Sequence, residues 1–154
     1  MGWCCPFNKL IQTKLEDFKY FKGYDNLEIT VNVSVEKDFY SNKFLLETVF
    51  QNLIENAIKY QNDTQSQSFL KIDVISVNNK IQIIFEDNGI GIKSSVQGLI
   101  FDMYYKAVES SKGSGLGLYL VKKCVEKLDG KVELRSFAGK GSTFIITLSD
   151  SCEI

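Results

Sequence analysis

The sequence contains no histidine among its 154 residues. It therefore has no imidazole to serve as a general base, a metal ligand or a phosphoacceptor. Its four cysteines, Cys4, Cys5, Cys124 and Cys152, lack the spacing of a zinc site. Because no export signal precedes them, we expect reduced thiols and a cytoplasmic location.

The sequence also lacks a strong charge of either sign and a long apolar run. Its 18 basic and 19 acidic residues give a net charge of −1, which excludes a broad basic surface for nucleic acid. No apolar run approaches the length of a membrane-spanning helix. Because 44% of the residues are apolar, the chain is long enough for one core, and we expect a single domain over residues 1–154.

One predicted strand leads directly into a carboxylate and two glycines. Apolar residues alternate along 81–85, as in a strand buried on one face, and Asp87 follows at its end. A carboxylate there is suited to accept a hydrogen bond from the exocyclic amine of adenine, while Gly89 and Gly91 let the backbone approach a ligand. Asp-Asn-Gly is also a strong turn signal, so the segment alone indicates a hairpin turn as much as a nucleotide site.

A second candidate group lies along one predicted helix. Ser41 or Asn42 is suited to cap a helix that ends near Gln61 and turns a wide apolar face to the core. At about 100° per residue, one edge of this helix carries two amides, a cation and an aromatic ring: Asn52, Asn56, Lys59 and Tyr60. Amide oxygens are suited to Mg²⁺, a lysine to phosphate and a tyrosine ring to a base. The same edge, taken alone, is also typical of a solvated helix surface.

Glycine recurs before another predicted helix. Residues 93–114 carry little core pattern and predict a long loop, which in a compact domain is typical of a functional lid. The run from Gly113 to Leu118 opens a helix that extends to Leu128 and places Cys124 in the core. A glycine-rich turn at a helix N-terminus is suited to bind an anion, although this glycine spacing alone is a weak signal.

The remaining helices and strands are predicted from the periodicity of apolar residues and from turn signals. They are a helix over 8–21, a strand over 27–36, a hairpin of 69–77 and 80–87 about Asn78-Asn79, and closing strands over 131–136 and 143–148 with a turn at 139–141. Because the strands are not followed one by one by helices, we expect an α/β fold, a two-layer sandwich with one helical layer on a mixed sheet.

In order and spacing, five segments resemble the sequence motifs of sensor histidine kinases. Residues 52–60 resemble the N box, 87–92 the G1 box, 101–106 the F box, 113–118 the G2 box and 139–144 the G3 turn. The resemblance extends over about 27–149. It implies the Bergerat ATP-binding fold that is shared with gyrase, MutL-type repair ATPases and related chaperones, with 93–114 as the ATP lid.

The resemblance also implies ATP and Mg²⁺ as ligands. Asn56 would bind Mg²⁺, Lys59 would approach the phosphates, Tyr60 would stack near adenine, Asp87 would bind the adenine amine, and Thr143 would line the adenine end. The expected nucleotide-binding residues are Asn52, Asn56, Lys59, Tyr60, Asp87, Gly89, Gly91, Ile92, Lys106, Gly113, Gly115, Leu116, Gly117, Leu118 and Thr143. The expected catalytic residues are Asn56 and Lys59, with Glu55 a weaker candidate because it points about 100° away from Asn56.

The sequence departs from the kinase pattern in three respects. Lys106 stands where many members carry an arginine, so the charge is kept but the fork geometry is lost. Tyr104 occupies a position that is often phenylalanine, which we expect to be harmless. The dimeric helical hairpin with its phosphoacceptor histidine is not in this sequence. We therefore expect an excised catalytic domain, monomeric by itself, with an N-terminal helix within 1–24 and residues near Met1 introduced for expression.

The implied partners are the phosphoacceptor hairpin and a downstream response regulator. A membrane anchor elsewhere in the parent kinase would be compatible with a cytoplasmic location of this domain.

Two other functions stay open. The first is a stand-alone serine kinase of the anti-sigma-factor type or a gyrase-type ATPase, and the second is a degenerate module that binds nucleotide without chemistry. Hydrolysing members carry a water-orienting glutamate one helical turn before the magnesium-binding asparagine. Asn52 at that position cannot act as a base, which disfavours an ATPase. The motif glycines and both asparagines disfavour a degenerate module.

Overall fold

The computed structural model describes residues 2–106 and 115–149. Within them lie three α-helices, α1 (Phe7–Phe18), α2 (Lys43–Lys59) and α3 (Gly117–Lys127). The strands are β1 (Trp3–Cys4), β2 (Leu27–Ser34), β3 (Tyr40–Ser41), β4 (Ser68–Val77), β5 (Lys80–Asp87), β6 (Lys131–Phe137) and β7 (Gly141–Ser149). Short 3₁₀ turns cover Tyr24–Asn26 and Ser94–Val96. None of the helices in this described part is long and apolar enough to cross a membrane.

Five strands form a mixed sheet in the order β2-β4-β5-β7-β6. β2 and β4 are parallel, and the other neighbouring pairs are antiparallel. Alternate residues of β4 and β5 are buried, which is the period of two expected when one sheet face meets the helices. The predicted α/β architecture, a mixed sheet with helices, is confirmed.

The core lies between the sheet and the helices. α2 is buried along a wide face, and its Phe50 meets Phe85 of β5 edge to face with ring centroids 5.2 Å apart. α3 packs beside α2 and buries Val121, Cys124 and Val125, so the predicted core position of Cys124 is confirmed. Each fully buried apolar side chain of this size contributes about 1.5–3 kcal/mol to folding, so this packing holds both helices in place.

Caps and turns set the limits of several elements. Asn42 caps α2, because its side-chain oxygen accepts a hydrogen bond from the backbone N–H of Leu45 at 3.0 Å. Asn78 and Asn79 have φ values of 50° and 60°, the left-handed conformation that a two-residue hairpin turn needs, so the predicted hairpin is confirmed. Helix α1 ends at Phe18 rather than the predicted residue 21, and α3 begins only at Gly117.

A small two-stranded ribbon at the N-terminus was not predicted. β1 pairs with β3 through Trp3 with Ser41 and Cys4 with Tyr40, a length too short to show alternation. The next residue, Cys5, is buried, and burial together with the neighbouring Cys4 raises the pKa of its thiol to about 12. A thiol with so high a pKa is a poor nucleophile. The cysteines of the described chain are all free, in accord with the expected reduced state.

Candidate functional site

A cavity of about 320 Å³ lies between α2, the end of β5 and the start of α3. It brings together residues that are distant in the sequence. The predicted site residues that line it are Asn52, Glu55, Asn56, Lys59, Tyr60, Asp87, Gly91, Ile92, Lys106, Gly115, Leu116, Gly117 and Leu118. Gly89 and Thr143 are not among the lining residues, and Gly113 lies outside the described part of the chain.

One edge of α2 presents its amides to the cavity in a defined direction. The side-chain NH₂ of Asn52 donates to the backbone carbonyl of Thr48 at 2.7 Å, so its Oδ1 is left for the opposite side. That oxygen faces the start of α3, because a Cβ placed on Gly117 would lie 3.0 Å from it. Asn52 therefore offers an oxygen toward the start of α3, and a glycine is needed opposite it.

Two cations also line the cavity. Lys59 Nζ lies 5.6 Å from the centroid of the Tyr60 ring, a cation–π distance, and Lys106 also lines the cavity. Neither lysine forms a salt bridge with any residue in the described ranges. Two lysines without a described carboxylate partner make the cavity suited to an anion. Glu55 also lines the cavity, although its predicted direction on the helix was away from Asn56.

Asp87 ends β5 and lines the cavity. Its Oδ1 accepts a hydrogen bond from the backbone N–H of Gly89 at 2.8 Å, and the N–H of Ser142 also donates to the carboxylate. Burial raises the pKa of Asp87 from 3.8 to about 6, although the two N–H groups act in the opposite direction. No described lysine or arginine forms an ion pair with it. A buried carboxylate without a cation is suited to accept a hydrogen bond from a ligand.

Apolar side chains form the walls beside Asp87. Ile90 and Phe144 line this part with the predicted Ile92, and Ile100 comes from the lid segment. The lining residues that the sequence reasoning missed are Ile90, Ile100, Tyr105, Leu120, Ser142 and Phe144. Four of these lie inside the motif segments described above: Ile90, Tyr105, Ser142 and Phe144. For Ser142 and Phe144, which lie in β7, the available signal was the alternation of strand faces. Apolar walls beside a hydrogen-bond acceptor fit a heterocyclic base.

The predicted position of Thr143 is wrong. In β7 the cavity-lining residues are Ser142 and Phe144, whereas Thr143 between them pairs with Glu86 and Arg135 on the other face of the sheet. Successive strand residues point to opposite faces, so a prediction that is off by one residue selects the wrong side of the sheet. Ser142 takes the place that had been expected for Thr143.

The glycines of the turn after β5 serve the protein's own packing. A Cβ on Gly89 would clash with the backbone carbonyl of Tyr60, and one on Gly91 would overlap that of Phe137. Gly91 also has a φ of 68°. The expectation that both glycines let the backbone approach a ligand is corrected for Gly89, which does not line the cavity. The turn is fixed on both sides, by Ile90 N–H to Tyr60 O at 2.9 Å and by Gly139 N–H to Ile90 O at 2.6 Å.

Comparison with known proteins gives consistent results. The family model described as histidine kinase-, DNA gyrase B- and HSP90-like ATPase matches residues 41–151. The chain is 33% identical over 112 residues to the sensor histidine kinase AtsR of Burkholderia thailandensis, covering 70% of this chain and 19% of that protein. It is 29% identical over 150 residues to the histidine protein kinase SaeS of Staphylococcus epidermidis, covering 92% of this chain and 41% of that protein.

A solved structure has the same fold. The mycobacterial sensor histidine kinase MprB superposes with a TM-score of 0.80 at 21% identity, covering 96% of this chain and 97% of the solved one. The chain therefore has the architecture of that protein along nearly its whole length. It spans less than half the length of the curated relatives it matches.

Proposed function

The chain belongs to the family of histidine kinase-, DNA gyrase B- and HSP90-like ATPases, and we propose that it is the catalytic, ATP-binding domain of a sensor histidine kinase. In this proposal it transfers the γ-phosphoryl group of ATP to a histidine on a separate dimerisation hairpin, and a response regulator receives the group downstream. The relatives named as histidine kinases support this choice within the family.

The observation that carries the proposal is the polarity of the cavity. Part of its lining is apolar and includes a buried carboxylate, Asp87, and these groups are suited to a base that bears an amine. The lining also has amide oxygens and the cations Lys59 and Lys106, which form no salt bridge with a described residue, and these groups are suited to a polyphosphate and its metal. ATP carries an amine-bearing base and a polyphosphate in one molecule, and the presence of groups suited to both in the lining of one cavity supports the proposal.

The residues present fit a magnesium ion that arrives with the nucleotide. Mg²⁺ is usually held by one or two protein oxygens together with phosphates and water. The described residues contain no group of three or more histidines, cysteines or carboxylates that would hold a metal by themselves. We propose that Asn56 binds the ion with Asn52 Oδ1 nearby, and when bound the ion neutralises phosphate charge.

The other lining residues would stabilise the charge of the phosphates and position them for transfer. Lys59 and Lys106 would offset the charge that develops on the transferred phosphoryl group, and the start of α3 would hold the phosphates in line with an incoming nucleophile. Asn52 cannot act as a base for water, and the chain has no histidine of its own to phosphorylate. Glu55, which lines the cavity, is our candidate for handling the proton of the attacking histidine.

Labelling with γ-phosphate-labelled ATP tests the proposal. The chain alone should remain unlabelled and hydrolyse little ATP, whereas adding the hairpin domain of the parent kinase should give an acid-labile phosphohistidine on the hairpin. Asn56→Ala and Asn56→Asp should abolish this transfer. Asn32→Ala is the matched control, since Asn32 lies on the edge strand β2 and its side chain bonds only to Asp73 among the described residues.

Two results would contradict the kinase assignment. Acid-stable labelling of a serine on a partner protein would favour a serine kinase of the anti-sigma-factor type. Rapid ATP turnover by the chain alone would favour a hydrolysing ATPase.

A further inference from the structure

Ser136 of β6 lies at the centre of a hydrogen-bond network beside the cavity. Its Oγ donates to the backbone carbonyl of Gly141 at 2.8 Å and accepts from the backbone N–H of Ile92 at 2.8 Å. The same oxygen lies 2.8 Å from the Oγ of Ser142. A serine hydroxyl carries one hydrogen, so these three contacts cannot all use Ser136 as the donor.

The network fixes the direction of the bond between the two serines. A carbonyl oxygen cannot donate, so the single hydrogen of Ser136 is committed to Gly141. The hydrogen in the other bond therefore belongs to Ser142, which donates to Ser136. Ser142 then has only acceptor capacity left for any ligand in the cavity that it lines, where it is 7% exposed.

This direction places two acceptors side by side in the lining of the cavity. Ser142 and Asp87 are cross-strand partners, and the carboxylate already accepts from the backbone N–H groups of Gly89 and Ser142. An exocyclic amine has two hydrogens and can satisfy a carboxylate and a hydroxyl oxygen at once. A carbonyl oxygen at the same position would face two acceptors and no donor, and an unpaired buried polar group is strongly disfavoured.

We propose that Ser136 is a positioning residue that holds the Ser142 hydroxyl as an acceptor and so makes the site select 6-amino over 6-oxo purine nucleotides. The inference rests on the proposed function, in that it takes the cavity to bind a purine nucleotide. Ser136 itself does not line the cavity and acts through Ser142.

A neighbouring side chain supplies a matched control. Gln97 donates through Nε2 to the carbonyl of Ile92 at 2.8 Å and to that of Ser136 at 3.0 Å. It thus helps to hold Ile92, a cavity wall, without taking part in the hydroxyl chain. Gln97→Ala disturbs the same wall as Ser136→Ala but leaves the direction of the Ser142 hydroxyl unchanged.

The test compares the affinities of ATP and inosine triphosphate by calorimetric titration. The unmodified protein should prefer ATP by about a hundredfold or more. In Ser136→Ala the Ser142 hydroxyl is free to rotate and donate, so the preference should fall about tenfold, with tighter binding of inosine triphosphate in absolute terms. Gln97→Ala should change both affinities by a similar factor, and Ser136→Thr, which keeps a hydroxyl, should restore the preference.

A second variant keeps the test decisive if Ser136→Ala fails to fold. Ser142→Ala removes the acceptor, so it should weaken ATP binding without improving that of inosine triphosphate. An unchanged preference in Ser136→Ala, or in Ser142→Ala when the first variant is unfolded, overturns the inference and leaves the proposed function intact. If the unmodified protein binds neither nucleotide, the proposed function fails and the inference fails with it.

Discussion

At the scale of one residue, we expect the buried carboxylate of Asp87 to favour nucleotide binding and to lower the stability of the ligand-free protein. Its carboxylate is buried at the end of β5 and is held by backbone N–H groups, without a cation from the described residues. A charge in such a place destabilises the protein until a ligand provides a donor. We therefore expect substitution of this residue to affect binding and stability in opposite directions.

We predict that Asp87→Asn weakens ATP binding about ten- to hundredfold. The carboxylate is the proposed acceptor for the adenine amine, and a charged hydrogen bond contributes roughly 1.5–3 kcal/mol, while the new amide adds a competing donor. Calorimetric titration with a non-hydrolysable ATP analogue measures the change in the dissociation constant. Equal affinity of the two proteins would mean that the adenine end has been assigned wrongly.

We also predict a pH dependence of stability that comes from the same side chain. The folded pKa of about 6 lies above the ordinary 3.8, so the folded state holds this proton more tightly than the unfolded state. The stabilisation from protonated Asp87 is complete below about pH 4 and is lost as the pH rises through 6. The difference corresponds to roughly 3 kcal/mol.

Asp87→Asn, which cannot titrate, is the control for this effect. Without nucleotide, the unmodified protein should lose stability relative to the variant between pH 4 and pH 7 in urea unfolding experiments. A constant difference between the two proteins over that range would show that the carboxylate is not desolvated in the free protein.

At the scale of elements, the turn after β5 is held against the end of β6 by close backbone contact. Gly91→Ala should destabilise the fold by more than about 2 kcal/mol, because φ is 68° and the added Cβ would overlap the carbonyl of Phe137. Gly98→Ala is the matched control, since a Cβ there meets nothing within 4 Å. Thermal unfolding of both variants should separate them clearly, and equal midpoints would contradict the packing described.

The predicted lid differs from the sheet in how its backbone is bonded. Among the described residues, the backbone hydrogen bonds of 93–106 outside regular elements join residues three apart, such as Leu99 to Val96 and Asp102 to Leu99. Its main anchor is Ile100, which is 4% exposed in the core. Local bonds of this kind open with little loss of free energy. Residues 107–114, the rest of the predicted lid, lie outside the described residues.

We predict that the amides of 93–106 become more protected from hydrogen exchange when Mg²⁺ and ATP bind. Contacts from Lys106 to the phosphates would give the segment a surface to close upon. The hairpin of β4 and β5 is the internal reference, because its ladder bonds exist without ligand. Full protection of 93–106 in the free protein would exclude a closing lid.

At the scale of the whole molecule, binding of ATP should stabilise the fold as a unit. Residues of α2, β5, the lid segment and α3 line the cavity, so a ligand there would contact both the sheet and the helices. At a concentration about a hundred times the dissociation constant, the expected gain is roughly 2.7 kcal/mol, or about 5–10 °C in the melting temperature. Asp87→Asn should show a much smaller rise at the same concentration, and equal rises would contradict the site.

Strong local signals made most elements predictable. Alternation identified β2 and β5, and an asparagine cap with helical periodicity identified α2. Asn78-Asn79 identified the hairpin that joins β4 to β5. These features depend on contacts within a few residues, which the order of residues largely determines. The ribbon of β1 and β3 depends on pairing across more than 30 residues and has two-residue strands, so no periodicity could reveal it.

The sequence by itself determined which chemical groups are available: a carboxylate after a strand, two asparagines and a lysine on one helix edge, glycines before a helix, and no histidine. Only the tertiary structure decided which of them meet. It turned Ser142 rather than Thr143 toward Asp87, brought Glu55 to the cavity wall, and used Gly89 for contact with Tyr60. The physical reason is that strand register and backbone approach are set by contacts between elements far apart in the chain.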